Sequence, residues 1–416
     1  HATAERGLGP HSEMSRRLMP VLLLQAANLC SGLGNAMVTL AIPWLILERT
    51  GSAAFAGVVL AISSLPPLLL APFGGWLVDR IGRRAVSVGS DILSALSVTA
   101  FPIVAWLFGL SGPVILLLAL LGALFDPAGY TARKALLTDA ARAAGVDQQQ
   151  LNGVHDGVFS IGWVAGPALG AWLIASFGVL NTFWAAAALF LVSALCIASL
   201  RIGDLGQAAR EDRGDAVLSG RASVVRGFVV LWEDRVLRTL TIAYLVIAAI
   251  YLPTESIVLA AHFEALREPA SLGFVISMLA AGATIGAFGF GWLSARLSRP
   301  MILRVTLVGT AVSILPMALL PPVPWLATAG FSLGLFWGPL NPLVTTLIQQ
   351  RVPADEQGRV ISVQLSAFYA APPLGMLLTG LAVERWGVGD TYLALGIALA
   401  VTALVACLSK ALRSDF

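Results

Sequence analysis

Four acidic residues interrupt runs that are otherwise apolar: Asp91, Asp126, Asp156 and Glu255. A carboxyl held away from water is costly unless it is paired, hydrogen-bonded or protonated, and proton exchange is then the chemistry it offers. Glu255 is placed best for that role. It lies in Tyr251-Leu252-Pro253-Thr254-Glu255-Ser256, beside a helix-distorting proline, where the hydroxyls of Thr254 and Ser256 can solvate it. Asp156, next to His155, opens an apolar run. It reads either as a second protonation site or as a helix N-terminal acid favoured by the dipole. Asp126, in Phe125-Asp126-Pro127, precedes Arg133 by about two helical turns. Proton exchange, pairing with an arginine and contact with a bound molecule all fit it. Asp91 follows Arg84 closely and reads first as a structural partner of the basic block beside it.

Other constellations would shape a binding site. Gly162-x-x-x-Gly166-Pro167-x-x-Gly170 sets small residues on one helix face, where two backbones can approach, and Pro167 bends the helix. Ala371-Pro372-Pro373-Leu374-Gly375 is a weaker echo. Trp44, Phe125, Tyr130, Tyr251, Phe336, Trp337, Phe368 and Tyr369 lie at depths where they could face a cavity, although each alone is as readily a packing residue. A large cavity lined by apolar and aromatic groups with one or two acids suits amphiphilic, often cationic, molecules. Asn35, in Ser31-Gly32-Leu33-Gly34-Asn35, can hydrogen-bond a ligand but cannot carry a proton. Cys30, Cys196 and Cys407 are far apart and inside apolar runs, and His1, His11, His155 and His262 have no metal-ligand spacing, so no metal or cofactor is expected. No nucleophile stands beside a base, which argues against an enzyme.

These groups must be carried by membrane-spanning helices. The chain is 57 % apolar and 12 % charged, with a mean hydropathy of +0.84; soluble domains carry roughly 25 % charged residues. The net charge of +3 is small, so the basic balance bears on topology and not on nucleic-acid binding. A crossing needs about 20 apolar residues. On that measure twelve are expected, at 18–47, 53–78, 85–108, 112–132, 153–176, 180–200, 238–263, 271–295, 301–320, 324–348, 360–383 and 388–411. The first is too long for a cleavable signal, and the polar start, 1–13, stays outside the fold reading. Of the 26 lysines and arginines, all but Arg49, Arg267 and Arg385 fall on one face, which places both termini in the cytoplasm of a cell-membrane protein. The expected organisation is a tail at 1–16, a six-helix bundle at 17–200, a linker at 201–237, a second bundle at 238–411 and a tail at 412–416. Within the linker, 203–220 reads as flexible. The following apolar stretch, 224–232, reads as a short helix, either lying at the membrane surface or packed on the cytoplasmic face.

Between crossings 2 and 3 stands Gly75-x-Leu77-x-Asp79-Arg80-x-Gly82-Arg83-Arg84, a very short charged turn. It resembles the signature loop of the major facilitator superfamily, in which the Asp and the basic residues latch the inner gate. That resemblance implies gating roles for Gly75, Asp79, Arg80, Gly82, Arg83 and Arg84, with Asp91 and Arg133 near them. A reduced copy, Gly291-Trp292-Leu293-Ser294-Ala295-Arg296-Leu297-Ser298-Arg299, lacks the Asp and the second Gly. Two parallel six-helix halves around a central cavity are therefore expected. The glycine–proline pattern of crossing 5 is similar to the antiporter motif of drug–proton exporters, with Ala171 in place of the final Gly.

Further segments resemble the Tap-type multidrug exporters of actinobacteria, associated with tetracyclines and aminoglycosides: Pro43-Trp44-Leu45, Pro127-Ala128-Gly129-x-Thr131-Ala132-Arg133, Val236-Leu237-Arg238-Thr239-Leu240, Tyr251-Leu252-Pro253-x-Glu255-Ser256 and Gly358-Arg359-Val360. Asn35 and Asp156 stand where that family leads one to expect an Asp and a Glu. The resemblance implies a drug–proton antiporter driven by the proton gradient, with amphiphilic or cationic drugs, protons and the bilayer as partners. An exporter of an endogenous siderophore or lipid-like metabolite is the alternative. A monomer suffices for this architecture.

Overall fold

A computed structural model describes the backbone of residues 10–200 and 220–409. The side chains of 10–17, 70–76, 220–225 and a few single positions, among them Asp79 and Asp126, are not described. Most of the expected tails and the stretch 201–219 lie outside the described residues.

The described elements are helical, and eleven helices are long and apolar enough to cross a membrane. The remaining crossing, the second, is built from Ala53–Ser63 and Leu65–Ile81, which abut at Ser64 ahead of Pro66. In order, crossing 1 is Pro10–Thr50, crossing 3 Arg83–Leu107, crossing 5 Gln148–Phe177 and crossing 6 Val179–Ala198. Crossing 4 is Gly112–Ala123 followed by Asp126–Ala144, broken just before Pro127. Crossing 7 is Arg235–Leu266, crossing 8 Pro269–Ser294 and crossing 9 Arg299–Ala318. Crossing 10 is Val323–Trp337 followed by Leu340–Arg351, broken at Gly338 and Pro339. Crossings 11 and 12 are Ala354–Trp386 and Val388–Leu408. The breaks in crossings 4 and 10 share a cause, since proline cannot donate to the preceding turn and clashes with it.

Packing repeats with a period of six crossings. Crossing 1 lies on 5 and 6, 2 on 4, and 3 on 4 and 6; crossing 7 lies on 11 and 12, 8 on 10, and 9 on 10 and 12. The halves meet along two equivalent seams, crossing 2 on 11 and crossing 5 on 8. This is the expected pair of pseudo-symmetric six-helix bundles. In lipid, helices are held by close packing, so backbones approach where side chains are smallest. Gly162 lies over Gly32 and Leu33, Gly166 over Ala36 and Gly170 over Met37, which fastens crossing 5 to crossing 1. Crossings 8 and 10 interlock more deeply: Gly282 and Gly286 face Phe331 and Leu335, while Gly334 and Gly338 face Leu279 and Ala283.

One turn is repeated almost unchanged. Gly178 (φ 85°) and Gly387 (φ 83°) each end one crossing and begin the next, a left-handed conformation that a side chain would strain. The linker helix, Gly220–Glu233, packs on crossing 11 while leaving Phe228 and Trp232 about half exposed. Arg226 Nε reaches Glu356 Oε1 at 2.7 Å, tying it down.

Candidate functional site

Glu255 sits on a π-helical segment, Thr254–Leu259, inside crossing 7. The sequence builds that irregularity and repairs it locally. Pro253 has no N–H to give the carbonyl of Ala249, and Gly375 of crossing 11 lies directly against that carbonyl. Thr254 Oγ1 donates to Ile250 O and Ser256 Oγ to Leu252 O, each at 3.0 Å, so hydroxyls satisfy carbonyls that the widened turn would strand. The Glu255 carboxyl has the Tyr251 hydroxyl, one helical turn earlier, as its neighbour. It lines a cavity of about 190 Å³ between the halves, walled by Thr39, Pro43, Trp163, Pro167, Ile276 and Met376 among others. A neighbouring cavity of about 280 Å³ contains Asn35, Ser94, Ser97 and Phe101 and shares Thr39, Ser256 and Met376 with the first.

Five aromatic rings run on from Glu255 through the second half. Tyr251 stacks on Trp337 with ring centroids 4.8 Å apart, and Trp337 on Tyr244 at 5.4 Å. Tyr244 then stacks on Phe368 at 5.0 Å, and Phe368 meets Tyr369 edge-on at 5.7 Å. Phe336 turns the other way and packs on Gly309 of crossing 9. Tyr244 escaped the sequence reading, although its seven-residue separation from Tyr251 is the same-face spacing of a helix.

A second set of charges lies wholly inside the first half. Arg133 Nη1 donates to Asp91 Oδ1 at 2.8 Å, and Arg133 Nη2 to Ser31 Oγ at 2.8 Å. Ser193 Oγ donates to the other carboxylate oxygen, Asp91 Oδ2, at 2.6 Å. Crossings 1, 3, 4 and 6 are thereby joined through one buried ion pair. Asp91 faces Arg133 rather than the adjacent basic block, and Ser193 was not legible beforehand. The side chain of Asp126 lies outside the described residues.

The charged turn latches onto its own half. Gly82 (φ 111°) joins crossings 2 and 3 with no intervening loop. Arg83 Nη1 reaches both carboxylate oxygens of the fully buried Asp139 at 3.1 Å, and Arg84 donates to the carbonyl of Ala198. Asp139 went unread because it lies beyond the apolar part of crossing 4. Gly75 lies within the helix before the turn, Arg80 is exposed in that helix's last turn, and the Asp79 side chain lies outside the described residues.

Asp156 is half exposed and pairs with Lys134 at 3.3 Å; Lys134 also lies 5.7 Å from the centre of the Tyr130 ring. Its neighbour His155 is buried, with Nδ1 3.2 Å from Gln25 Oε1. Trp44 is buried in the core and donates to Glu48 at 3.2 Å, and the carbonyl of Phe125 accepts from Ser90. The pattern in crossing 5 serves two neighbours. Its glycines face crossing 1, while the Pro167 carbonyl and Ala171 press on Gly273 of crossing 8, across the seam.

At the arginine-poor end the seams are closed. Gly57 and Gly380 face each other, and Glu384 accepts from the Ser52 hydroxyl at 2.8 Å and the Ala54 amide at 3.0 Å.

Two bundles closed together at one end around an acid-bearing central cavity define a membrane carrier of the two-half type. Among solved structures, the nucleoside transporter NupG superposes with a TM-score of 0.77 at 12 % identity, covering 93 % of this chain and 98 % of that one. The sequence is 38 % identical to the multidrug efflux pump Tap of Mycolicibacterium fortuitum over 95 % of this chain and 96 % of that protein. It is 36 % identical to the Tap pump of Mycobacterium tuberculosis, again over 95 % of this chain. The pattern of the Major Facilitator Superfamily matches residues 25–376 and 256–414, and the chain belongs to that family.

Proposed function

We propose that the protein is a multidrug exporter that exchanges drug for protons by alternating access. The observation that carries this reading is the position of Glu255: an acid on an irregular turn, beside Tyr251, in the wall of a largely apolar cavity between the halves. Similarity to efflux pumps over nearly the whole chain supports the direction of transport.

In the proposed cycle the halves 17–200 and 238–411 rock about the two seams. The arginine-rich end, with both termini, faces the cytoplasm. The conformation described is closed at the arginine-poor end, and an amphiphilic drug enters from the cytoplasm or inner leaflet and lodges beside Glu255. Reorientation exposes Glu255 to the outside, where protonation releases the drug; the latch of Arg83 on Asp139 steadies the bundle that moves. Return and deprotonation toward the cytoplasm restore affinity. Asp156, paired with Lys134, is the second proton-site candidate.

Ethidium or tetracycline transport into everted membrane vesicles tests this, with and without an imposed pH gradient, in wild type and Glu255→Gln. Gradient-driven transport in the wild type that is lost in the variant is the expected result. A Glu255→Gln protein that pumps with full gradient dependence would sink the assignment of the carrier. A wild type that moves neither probe turns attention to an endogenous metabolite.

A further inference from the structure

A third cavity, of about 300 Å³, shares no lining residue with the one at Glu255 and lies entirely in the second half. Crossings 7, 10 and 11 build it, and amides and phenols take the place of the small hydroxyls and aliphatic groups of the other two. Tyr244 from crossing 7, Asn341 and Thr345 from crossing 10, and Gln364, Phe368 and Tyr369 from crossing 11 form its wall, with no acid or base among the lining residues.

The polar groups there are prepared and unused. Tyr244 and Gln364 are only 4 % and 6 % exposed, so both are buried apart from the surface they turn to this space. The Tyr244 and Tyr369 hydroxyls and the Asn341 and Gln364 amides have no hydrogen-bond partner among the described residues. Buried residues seldom leave polar groups unpaired, so Tyr244 and Gln364, met at the same cavity by the exposed Asn341 and Tyr369, mark a place where something else supplies the partners. Two amides and two phenols offer donors and acceptors side by side, with no net charge to match. Tyr369, 50 % exposed, adds an open aromatic surface on which a ring can lie.

We infer that this cavity is a second binding subsite, taking an uncharged, hydroxyl- or carboxamide-rich ring such as a glycosyl group. It rests on the exporter reading, which it deepens by dividing recognition in two. The Glu255 cavity takes the apolar or cationic part of a cargo molecule, and the amide-lined cavity takes the neutral polar part. The aromatic row from Tyr251 to Tyr369 joins the two subsites. Water alone could fill such a space, but water has no preference between a glycosylated molecule and its aglycone.

That preference is the test. Binding of esculin, a neutral glucoside, and of its aglycone esculetin is measured by equilibrium dialysis on the full-length protein in detergent, with ethidium as a separate probe. Wild type is expected to bind esculin about tenfold more tightly than esculetin, the return on two or three neutral hydrogen bonds. Gln364→Leu and Asn341→Leu, which keep volume but remove the amide, should each erase most of that preference while ethidium binding stays within about twofold. Retained ethidium binding certifies the fold, and if Gln364→Leu loses it, the more exposed Asn341→Leu decides. A wild type without preference for the glucoside, or folded variants that keep it, overturns the subsite. Loss of ethidium binding in the wild type, with the glucoside preference intact, would strike the exporter reading and leave the subsite standing.

Discussion

Arg133 and Asp91 meet at 2.8 Å in the middle of the first bundle, with side chains only 3 % and 2 % exposed. Ser193 takes the second carboxylate oxygen and Ser31 the second terminal nitrogen of the guanidinium, while Arg133 Nε stays buried without a partner among the described residues. Removing one partner of a buried pair leaves an unpaired charge and costs about 3–5 kcal/mol, whereas removing both with apolar residues of similar size is often nearly neutral. Asp91→Leu and Arg133→Met singly should therefore lower the unfolding temperature in detergent much more than the double variant does. A double variant as unstable as the sum of the two would show that the residues do not act as a pair.

The turn between crossings 2 and 3 makes a similar claim at the edge of the membrane. Arg83 is the cation that the fully buried carboxylate of Asp139 meets at 3.1 Å. Arg83→Asp should sharply reduce efflux and folded yield, and adding Asp139→Arg should recover a substantial part of both. Failure of the exchanged pair to recover anything would mean that Arg83 acts elsewhere in the cycle.

At the arginine-poor end the seam between crossings 2 and 11 depends on an absent side chain. A Cβ at Gly57 would stand 2.5 Å from the carbonyl oxygen of Met376 and 3.1 Å from the Cα of Gly380. Gly57→Ala is expected to keep that end ajar. In a protein with Cys30, Cys196 and Cys407 replaced by alanine, a thiol introduced by Ala54→Cys should then be labelled several-fold faster by an impermeant maleimide, and efflux should fall. Unchanged labelling would refute the closed-seam account.

Asp234 sets the pH dependence of one junction outside the bilayer. Burial pushes its carboxyl up, but the Leu237 amide, the Arg351 guanidinium and the Val236 amide outweigh burial and hold it below its ordinary value of 3.8. A depressed acid contributes stability that is fully present above its unfolded value and is lost as pH falls through the lower native one. Thermal stability in detergent should thus decline on acidification below about pH 4, and Asp234→Asn should flatten that decline. Parallel acid profiles for the two proteins would remove Asp234 from the account.

Legibility followed the physics that produced each feature. Twelve crossings could be counted because a hydrocarbon core demands a fixed length of apolar chain, and the distortion at Pro253 was read from the sequence, whereas the breaks at Pro127 and Pro339 were not. Which acid met Arg133 was not legible. Asp91 lies 42 residues away on another crossing, and only the packing of crossing 3 on crossing 4 brings it to Arg133. The close packing of crossing 8 on crossing 10, through Gly282 and Gly286 on one helix and Gly334 and Gly338 on the other, had a readable signal, a glycine every fourth residue, that went unused. Gln364 had none: a lone amide in crossing 11 declares itself only when Asn341 and Tyr244 are brought beside it from other helices.

The wide turn at 254–259 also sets the two halves apart. Relative to a uniform α-helix, it is what a single inserted residue leaves behind, and each inserted residue turns everything after it by about 100°. Crossing 1, the counterpart of crossing 7, is a continuous α-helix from Pro10 to Thr50. The wide turn shifts the phase of crossing 7, so the stretch from Ala260 to Leu266 meets its neighbours on a different face from the one a uniform α-helix would present. A one-residue deletion there would do more than shorten the helix: it would turn the later part of crossing 7 by about 100° against its neighbours.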